Sequence, residues 1–580
     1  MKKARLIYLA SILLASVIFT GCGGLKKMIK RAGEVEYKVV PEVLEMHADS
    51  VDVTITVKFP AKYFHKKAIV EATPVLRWNG GEKEFKMEAR QGEAVEDNHK
   101  VIGFADGGSW SYNDKIAFED VMRVSELYIK LKGTIKSKEA EIANVKIADG
   151  VIATPGLVMY DARAIFAPDK FVRTTSESKE ADIHYVINQY DIRSSETKAD
   201  DIKELKGFIE EAKENERRQF KGIEISSYAS PDGPLDLNEK LSKNRGGAAE
   251  KFMKNEFKKV TEAEDKAFVK SETTSEDWDG FKNMMQASDV TDKELILKVL
   301  SMYPDNEVRE KEIKNISKVY LEVADKVLPK LRRSQMKVKI DVVGFSHEEI
   351  TAIADSKPDS LKVEELLYAA SLTNDFNKKL KIYKDFVSIY PKDWRGPNNV
   401  GYCYIKLGKV ADAKKAFEDA KTIDNGNTTI SNNLGAVAIR EADFAKAKEY
   451  LESAAGAGKE VSYNWGIISI KEAGMKTPDY DYNEAVTYFG SDCSFNAALA
   501  KLLAGDIDNV TKTVDCAENK DQAMMYYLKA IVGARQGDSD ILFNNLRTAV
   551  EKDGSLAGKA KTDMEFRKYF EDSTFKSIAQ

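Results

Sequence analysis

Histidine and cysteine are scarce in this chain of 580 residues, five and four respectively. His47, His65, His99, His184 and His347 stand alone, no two at metal-ligand spacing, so each is expected as a surface or structural residue and no metal site is read. A Cys-x-x-Cys pair, a phosphate-cradling glycine loop and a Ser/His/Asp order are all missing. The chain is therefore expected to be non-catalytic and to need no cofactor. Charge of one sign is missing too: 89 basic and 94 acidic residues are interspersed and leave a net charge of -5. That gives no support to nucleic-acid binding. What is present is a foldable composition, 43% apolar and 32% charged, in a chain long enough for several domains.

Lys2, Lys3 and Arg5 precede the apolar run "LIYLASILLASVIF" (residues 6–19) and then "TGC". A charged start, a short apolar core and small residues make a secretory signal peptide, residues 1–21. The run is shorter than the roughly 20 residues a spanning helix needs. Phe19-Thr20-Gly21-Cys22 resembles the lipobox of bacterial lipoproteins, with Phe19 in place of the usual aliphatic residue. The resemblance implies lipidation of Cys22 and a membrane partner reached through that lipid anchor. Residues 22–36 read as a tether in which Lys26, Lys27, Lys30 and Arg31 are solvated or lie on anionic headgroups. No acidic residue follows Cys22 at once, unlike the surface-export signals of Bacteroidetes-type lipoproteins, which points to the periplasmic side of the outer membrane. Cys403, Cys493 and Cys516 remain, an odd number that leaves at least one unpaired. Their helical context predicts buried, structural thiols.

Residues 37–155 read as β. In "VDVTITVKF", Val51, Val53, Ile55, Val57 and Phe59 alternate with polar residues, the period of a half-buried strand. Further short strands separated by "NGG", "EDN" and "DGGS" predict an antiparallel β-sandwich. Trp78 and Trp110 are expected in its core or on a sheet face. Residues 156–182 read as a linker. From 183 to 345 the pattern is mixed: "IHYVI" and "GIEISSYAS" suggest strands, while Ile202, Leu205, Ile209 and Ala212 share one helical face.

Residues 361–580 are helical and repetitive. Gly401 and Gly435 lie 34 apart, as do Ala413 and Ala447, Phe417 and Leu451, and Ala420 and Ala454. Small residues let paired helices approach, and larger ones fill the groove between them. This period and these residue types resemble the tetratricopeptide repeat, in about five or six units, an all-α solenoid. Its concave face would take an extended or helical segment of an unidentified envelope protein. Asn399 and Asn433 fall on inner helices near the packing glycine. Their amides either bond a partner's backbone or are solvated or satisfied within the solenoid.

The stretch "SSYASPDGPLDLNEKLSKNR" (226–245) resembles the strand–loop–helix of OmpA-like peptidoglycan-binding domains. Gly233, Asn238, Leu241, Ser242 and Arg245 occupy the family's Gly and Asn-x-x-Leu-Ser-x-x-Arg places, and "LRRSQMKVKIDV" (331–342) resembles its closing strand. The resemblance implies an α+β domain over 183–345, here with an insertion at about 258–305 in which the family's third strand is not recognisable. It also implies a site for a peptidoglycan stem peptide. Asn238 and Arg245, two helical turns apart, would take a carboxylate. Ser230 stands where the family carries the aspartate that meets an ammonium, and Asp232 lies two residues on. Turn chemistry, a helix cap by Asp236 or Asn238, and an Arg245–Asp232 pair are the structural alternative.

The whole is similar to multidomain lipoproteins of Bacteroidetes-type bacteria. Two functions follow as expectations. In one, an outer-membrane lipoprotein touches peptidoglycan and scaffolds protein partners. In the other, it is an adaptor or assembly factor for secreted or outer-membrane proteins and no longer binds peptidoglycan.

Overall fold

The computed structural model describes residues 23–580 except 259, 266 and 477–480. The expected signal peptide, residues 1–21, and Cys22 lie outside the described residues. The chain forms two compact units, one joining the part up to Ala167 with Tyr390–Gln580, the other spanning Pro168–Ile389.

In the first unit the alternation at 51–59 becomes the strand Ser50–Phe59, with Val51, Val53, Ile55, Val57 and Phe59 at most 2% exposed. It pairs antiparallel with Glu36–Val40 and with Gly108–Ala117. The short strand Val43–His47 pairs with it on one side and, in parallel, with Lys138–Ile152 on the other. That bridge joins ten strands into one hydrogen-bonded sheet around a core that includes Phe59, Phe64 and Trp110. The architecture is therefore a half-barrel rather than the expected β-sandwich of two separate sheets. Each large apolar side chain buried there contributes roughly 1.5–3 kcal/mol.

The tether expected over 22–36 is corrected. Gly23–Lys30 is a helix whose Leu25 and Met28, three residues apart, are buried against Ser125–Ile135 and Lys138–Ile152. Its lysines take the solvent side. Apolar spacing of i, i+3 within a basic stretch is enough for one packed turn.

The repeats of this unit are helix pairs: Arg395–Lys406 with Val410–Ile423, Thr428–Arg440 with Phe444–Glu452, and Lys459–Lys476 with Asn483–Phe489. Phe495–Leu503 with Ile507–Asp515, and Ala523–Gln536 with Ser539–Lys552, complete five pairs among the described residues. This is the tetratricopeptide-type array that the 34-residue period predicts. The packing glycines act as expected: a Cβ on Gly401 would meet the Phe417 ring at 2.5 Å, and one on Gly466 would meet Phe489 at 2.7 Å.

Cys493 and Cys516 form a disulfide across 23 residues, and Cys403 is a buried cysteine outside it. The expectation of three structural thiols is corrected accordingly. The half-barrel docks on the array. His47 Nδ1 and Tyr482 Oη lie 2.7 Å apart in a buried contact, and Thr154 Oγ1 donates to Glu565 at 2.5 Å.

In the second unit, Thr174–His184, Arg333–Val343, Arg218–Tyr228 and Val269–Thr274 form a four-stranded sheet in that order. The first two neighbours pair antiparallel, and the edge strand Val269–Thr274 runs parallel to Arg218–Tyr228. Asp200–Glu214 and Leu235–Glu256 pack on this sheet over a core that includes Ile183, Ile225 and Met336. The α+β expectation is met in outline, with its limits moved. A third strand exists inside the segment read as an insertion, and the helical addition runs from Trp278 to Leu331 around Phe281, Met285, Val323 and Leu331. The helix pair Val363–Ser371 and Phe376–Ile389 also belongs to this unit.

The linker expected over 156–182 is not one. Leu157 and Val158 enter the core of the repeats, Lys170 N–H donates to Glu364, and Thr174–His184 is a full strand.

Candidate functional site: an asparagine groove and a buried arginine loop

The inner helices carry an asparagine two residues before each packing position: Asn399 before Gly401, Asn433 before Gly435, Asn464 before Gly466 and Asn496 before Ala498. All four are fully buried, and all four face the same extended segment of this chain, residues 158–167. Asn399 Oδ1 accepts the N–H of Ala167 at 2.9 Å while its Nδ2 donates to the Ala167 carbonyl at 2.8 Å. Asn433 does the same to Ile165 at 2.6 and 2.8 Å, and Asn464 to Arg163 at 2.7 and 2.9 Å. Asn496 grips Met159 at 2.9 and 2.8 Å. Each amide thus stands in for a neighbouring β-strand, reading the N–H and C=O of one residue.

The asparagines also fix one another. Asn432 Nδ2 donates to Asn433 Oδ1, Asn433 Nδ2 to Asn398 Oδ1, and Asn464 Nδ2 to Asn432 Oδ1. A chain of buried amides holds every oxygen and nitrogen in one orientation, which an isolated amide would not do.

Side chains of the bound segment add charge. Arg163 forks onto Asp492 at 2.5 and 3.1 Å and lies 3.5 Å over the Tyr463 ring. Asp161 Oδ1 accepts from Tyr463 Oη at 2.8 Å and from Asn496 Nδ2 at 2.9 Å. Burial, and then the Asp161 charge, raise the Tyr463 hydroxyl well above its ordinary range, so it remains a donor. Arg440 closes the site by donating twice to the Ala162 carbonyl.

Asn399 and Asn433 are therefore where a backbone-bonding amide was expected, but the backbone they hold is the chain's own. Sequence reasoning missed Asn464 and Asn496, although both keep the same offset from the packing residue. It also missed the ligand segment, whose residues show no strand-like alternation.

The second set of expected residues lies in the Pro168–Ile389 unit. Ser230, Asn238 and Arg245 are at most 6% exposed. Asn238 Nδ2 donates to the carbonyls of Ser230 and Gly233, both at 3.2 Å, and so closes the loop onto the start of Leu235–Glu256. Arg245 donates through Nε to Gln189 O at 3.1 Å, and through its two terminal nitrogens to Tyr228 O at 2.9 Å and Val186 O at 3.5 Å. Burial pushes its guanidinium down to about 10.

Asp232 pairs with Arg332 at 3.1 Å, each side chain about 10% exposed, and Arg332 Nε donates to Ser230 Oγ. The expected Arg245–Asp232 pair is thus replaced by Arg332–Asp232. Arg333 reaches the insertion instead, bonding Asp277 at 2.8 Å, where Asp277 caps the helix that begins at Trp278. The four residues do come together, but their polar groups are turned to one another and to backbone. A carboxylate arriving there would have to displace bonds already made.

No protein-family model and no curated protein matches the chain. Among solved structures it is similar to a chain of the APC/C hetero-tetramer Cut9–Hcn1, at 12% identity over 52% of this chain and a TM-score of 0.31. This chain spans 58% of that chain's length. A tetratricopeptide repeat protein from Parabacteroides merdae is 11% identical over 44% of this chain and 99% of its own, with a TM-score of 0.29. The repeat protein YrrB is 19% identical over 37% of this chain and 99% of its own, with a TM-score of 0.21.

Proposed function

We propose that this chain is a non-catalytic scaffold of the cell envelope, an adaptor or assembly factor whose OmpA-like module no longer holds peptidoglycan. Cys22 would anchor it by lipid in the outer membrane, facing the periplasm, and the repeat array would collect protein partners. Tethering three modules on one anchored chain raises the effective concentration of whatever each binds.

The observation that carries the loss of wall binding is Arg245. Three of its five N–H donors go to backbone carbonyls and the side chain is only 1% exposed, while Asp232, the acid nearest the ammonium position, is held by Arg332. Ser230 supplies no charge. A stem-peptide carboxylate and ammonium therefore find neither partner open. The array supports the scaffold half, because its inner helices hold an extended backbone by a regular set of amides.

Sedimentation of the full chain with purified cell-wall sacculi tests this reading. The expected result is no co-sedimentation. Saturable co-sedimentation that Arg245→Ala abolishes would overturn it in favour of a peptidoglycan-binding lipoprotein. Fatty-acid labelling lost in Cys22→Ser checks the anchor.

A further inference from the structure

The groove built by Asn399, Asn433, Asn464 and Asn496 has the properties of a peptide receptor, and residues 158–167 sit in it as a ligand would. Its contacts are of an exchangeable kind. Within Met159–Ala167 only Ala162 and Ala167 are fully buried. Val158 also enters the repeat core and Met159, Tyr160 and Ile165 are partly buried against it, so the hold combines this apolar contact with the hydrogen bonds and the Arg163–Asp492 pair. A hydrogen bond adds little net stability in water, because solvent competes for both partners. The strap nevertheless wins over free peptides because it is covalently present at high effective concentration.

Recognition is specific at one place. The amides read backbone and accept any residue, but Asp161 and Arg163 meet Tyr463 and Asp492, with Ala162 buried between them. We propose that residues 158–167 are a built-in competitor that keeps the groove shut. The partner able to open it presents an extended segment with a carboxylate two residues ahead of an arginine and a small residue between. This rests on the reading of the array as a docking scaffold and adds the chemistry of the partner and the regulation of its site.

The test is a fluorescent peptide of residues 156–169 titrated into the full-length chain. An occupied groove lowers apparent affinity by the fraction of time it is open. Asp161→Ala with Arg163→Ala loosens the strap and leaves the groove intact, so the peptide is expected to bind this double variant at least about tenfold tighter than the parent chain. Adding Asn433→Ala and Asn464→Ala is expected to remove the binding. No gain in a double variant that keeps its helical circular dichroism would overturn the proposal.

Hydrogen exchange on the parent chain gives an independent reading should that variant fail to fold. The amides of Arg163 and Ile165 are expected to exchange about tenfold faster than that of Val437 in the inner helix beneath them. Exchange of all three together, only with global unfolding, would make the strap a fixed part of the fold and overturn the proposal. Neither measurement involves sacculi or an envelope partner, so failure of the envelope reading would be seen separately.

Discussion

Asn433 holds Ile165 by both backbone groups of that residue, accepting its N–H at 2.6 Å and donating to its carbonyl at 2.8 Å. The two residues are 268 positions apart in the chain. The same amide donates to Asn398 and accepts from Asn432, so one side chain links two repeats and the strap.

Asn433→Ala would remove the partner of the Ile165 N–H, leave the Ile165 carbonyl only the Asn398 Nδ2 donor at 3.3 Å, and unlink the neighbouring amides. A cost of about 2–3 kcal/mol is expected, at about 1–3 kcal/mol for each buried group left unpaired and with water re-entering part of the site. Urea unfolding of the full chain, followed by helical circular dichroism, measures it. A midpoint unchanged from the parent would show that the ladder does not support the array.

The packing glycines of the repeats are not equivalent. An added Cβ meets the Phe417 ring at 2.5 Å at Gly401 but Leu451 at 3.0 Å at Gly435. Phe417 is fully buried and has no room to swing away. Gly401→Ala is expected to cost about 1–3 kcal/mol, the usual range for overpacking, and Gly435→Ala less. Thermal unfolding of the two variants side by side decides the order.

Cys493–Cys516 closes a loop of 23 residues in the fourth repeat of the first unit. Constraining a loop of that length in the unfolded chain stabilises by about 3 kcal/mol in the chain-entropy account. Reduction with a strong thiol, or Cys493→Ser, is expected to lower the unfolding midpoint of the array. Mass spectrometry of the alkylated, non-reduced protein should find Cys403 alkylated and Cys493 and Cys516 unmodified.

Asp563 is buried, and Tyr527 Oη donates to it at 2.8 Å. Desolvation, followed by the nearby Glu565 charge, raises its carboxyl above the ordinary value of 3.8. A group raised on folding gives its full stabilisation below the unfolded pKa and loses it as pH climbs through the folded one. The parent chain is therefore expected to lose stability from this group on going from pH 4 towards neutrality. Asp563→Asn should flatten that slope and be the more stable chain at pH 7. Denaturant midpoints at several pH values, compared between the two chains, test the sign.

Some of this architecture is legible in the residues because it depends on neighbours a few positions apart. The alternation from Val51 to Phe59 needs only the period of a strand, and the Gly401 and Phe417 pair needs only the period of a repeat. Asn238 to Arg245 likewise share a helix face by spacing alone. The edge strand Val269–Thr274 was hidden because all but its first residue are exposed, so no apolar alternation marks it. The helix Gly23–Lys30 was hidden because two buried residues among lysines look like a solvated tether.

The sequence by itself thus determined the kinds of element, the repeat, and the residues able to bond a backbone or a carboxylate. Tertiary structure alone decided what those residues bond. An asparagine amide or a guanidinium serves any backbone or anion that reaches it, and which one reaches it is settled by packing between distant segments. Here that packing brings Met159–Ala167 onto the asparagines and the carbonyls of Gln189 and Tyr228 onto Arg245. A groove that the residues alone leave open is filled by its own chain, and a site that they suggest for peptidoglycan is closed on itself.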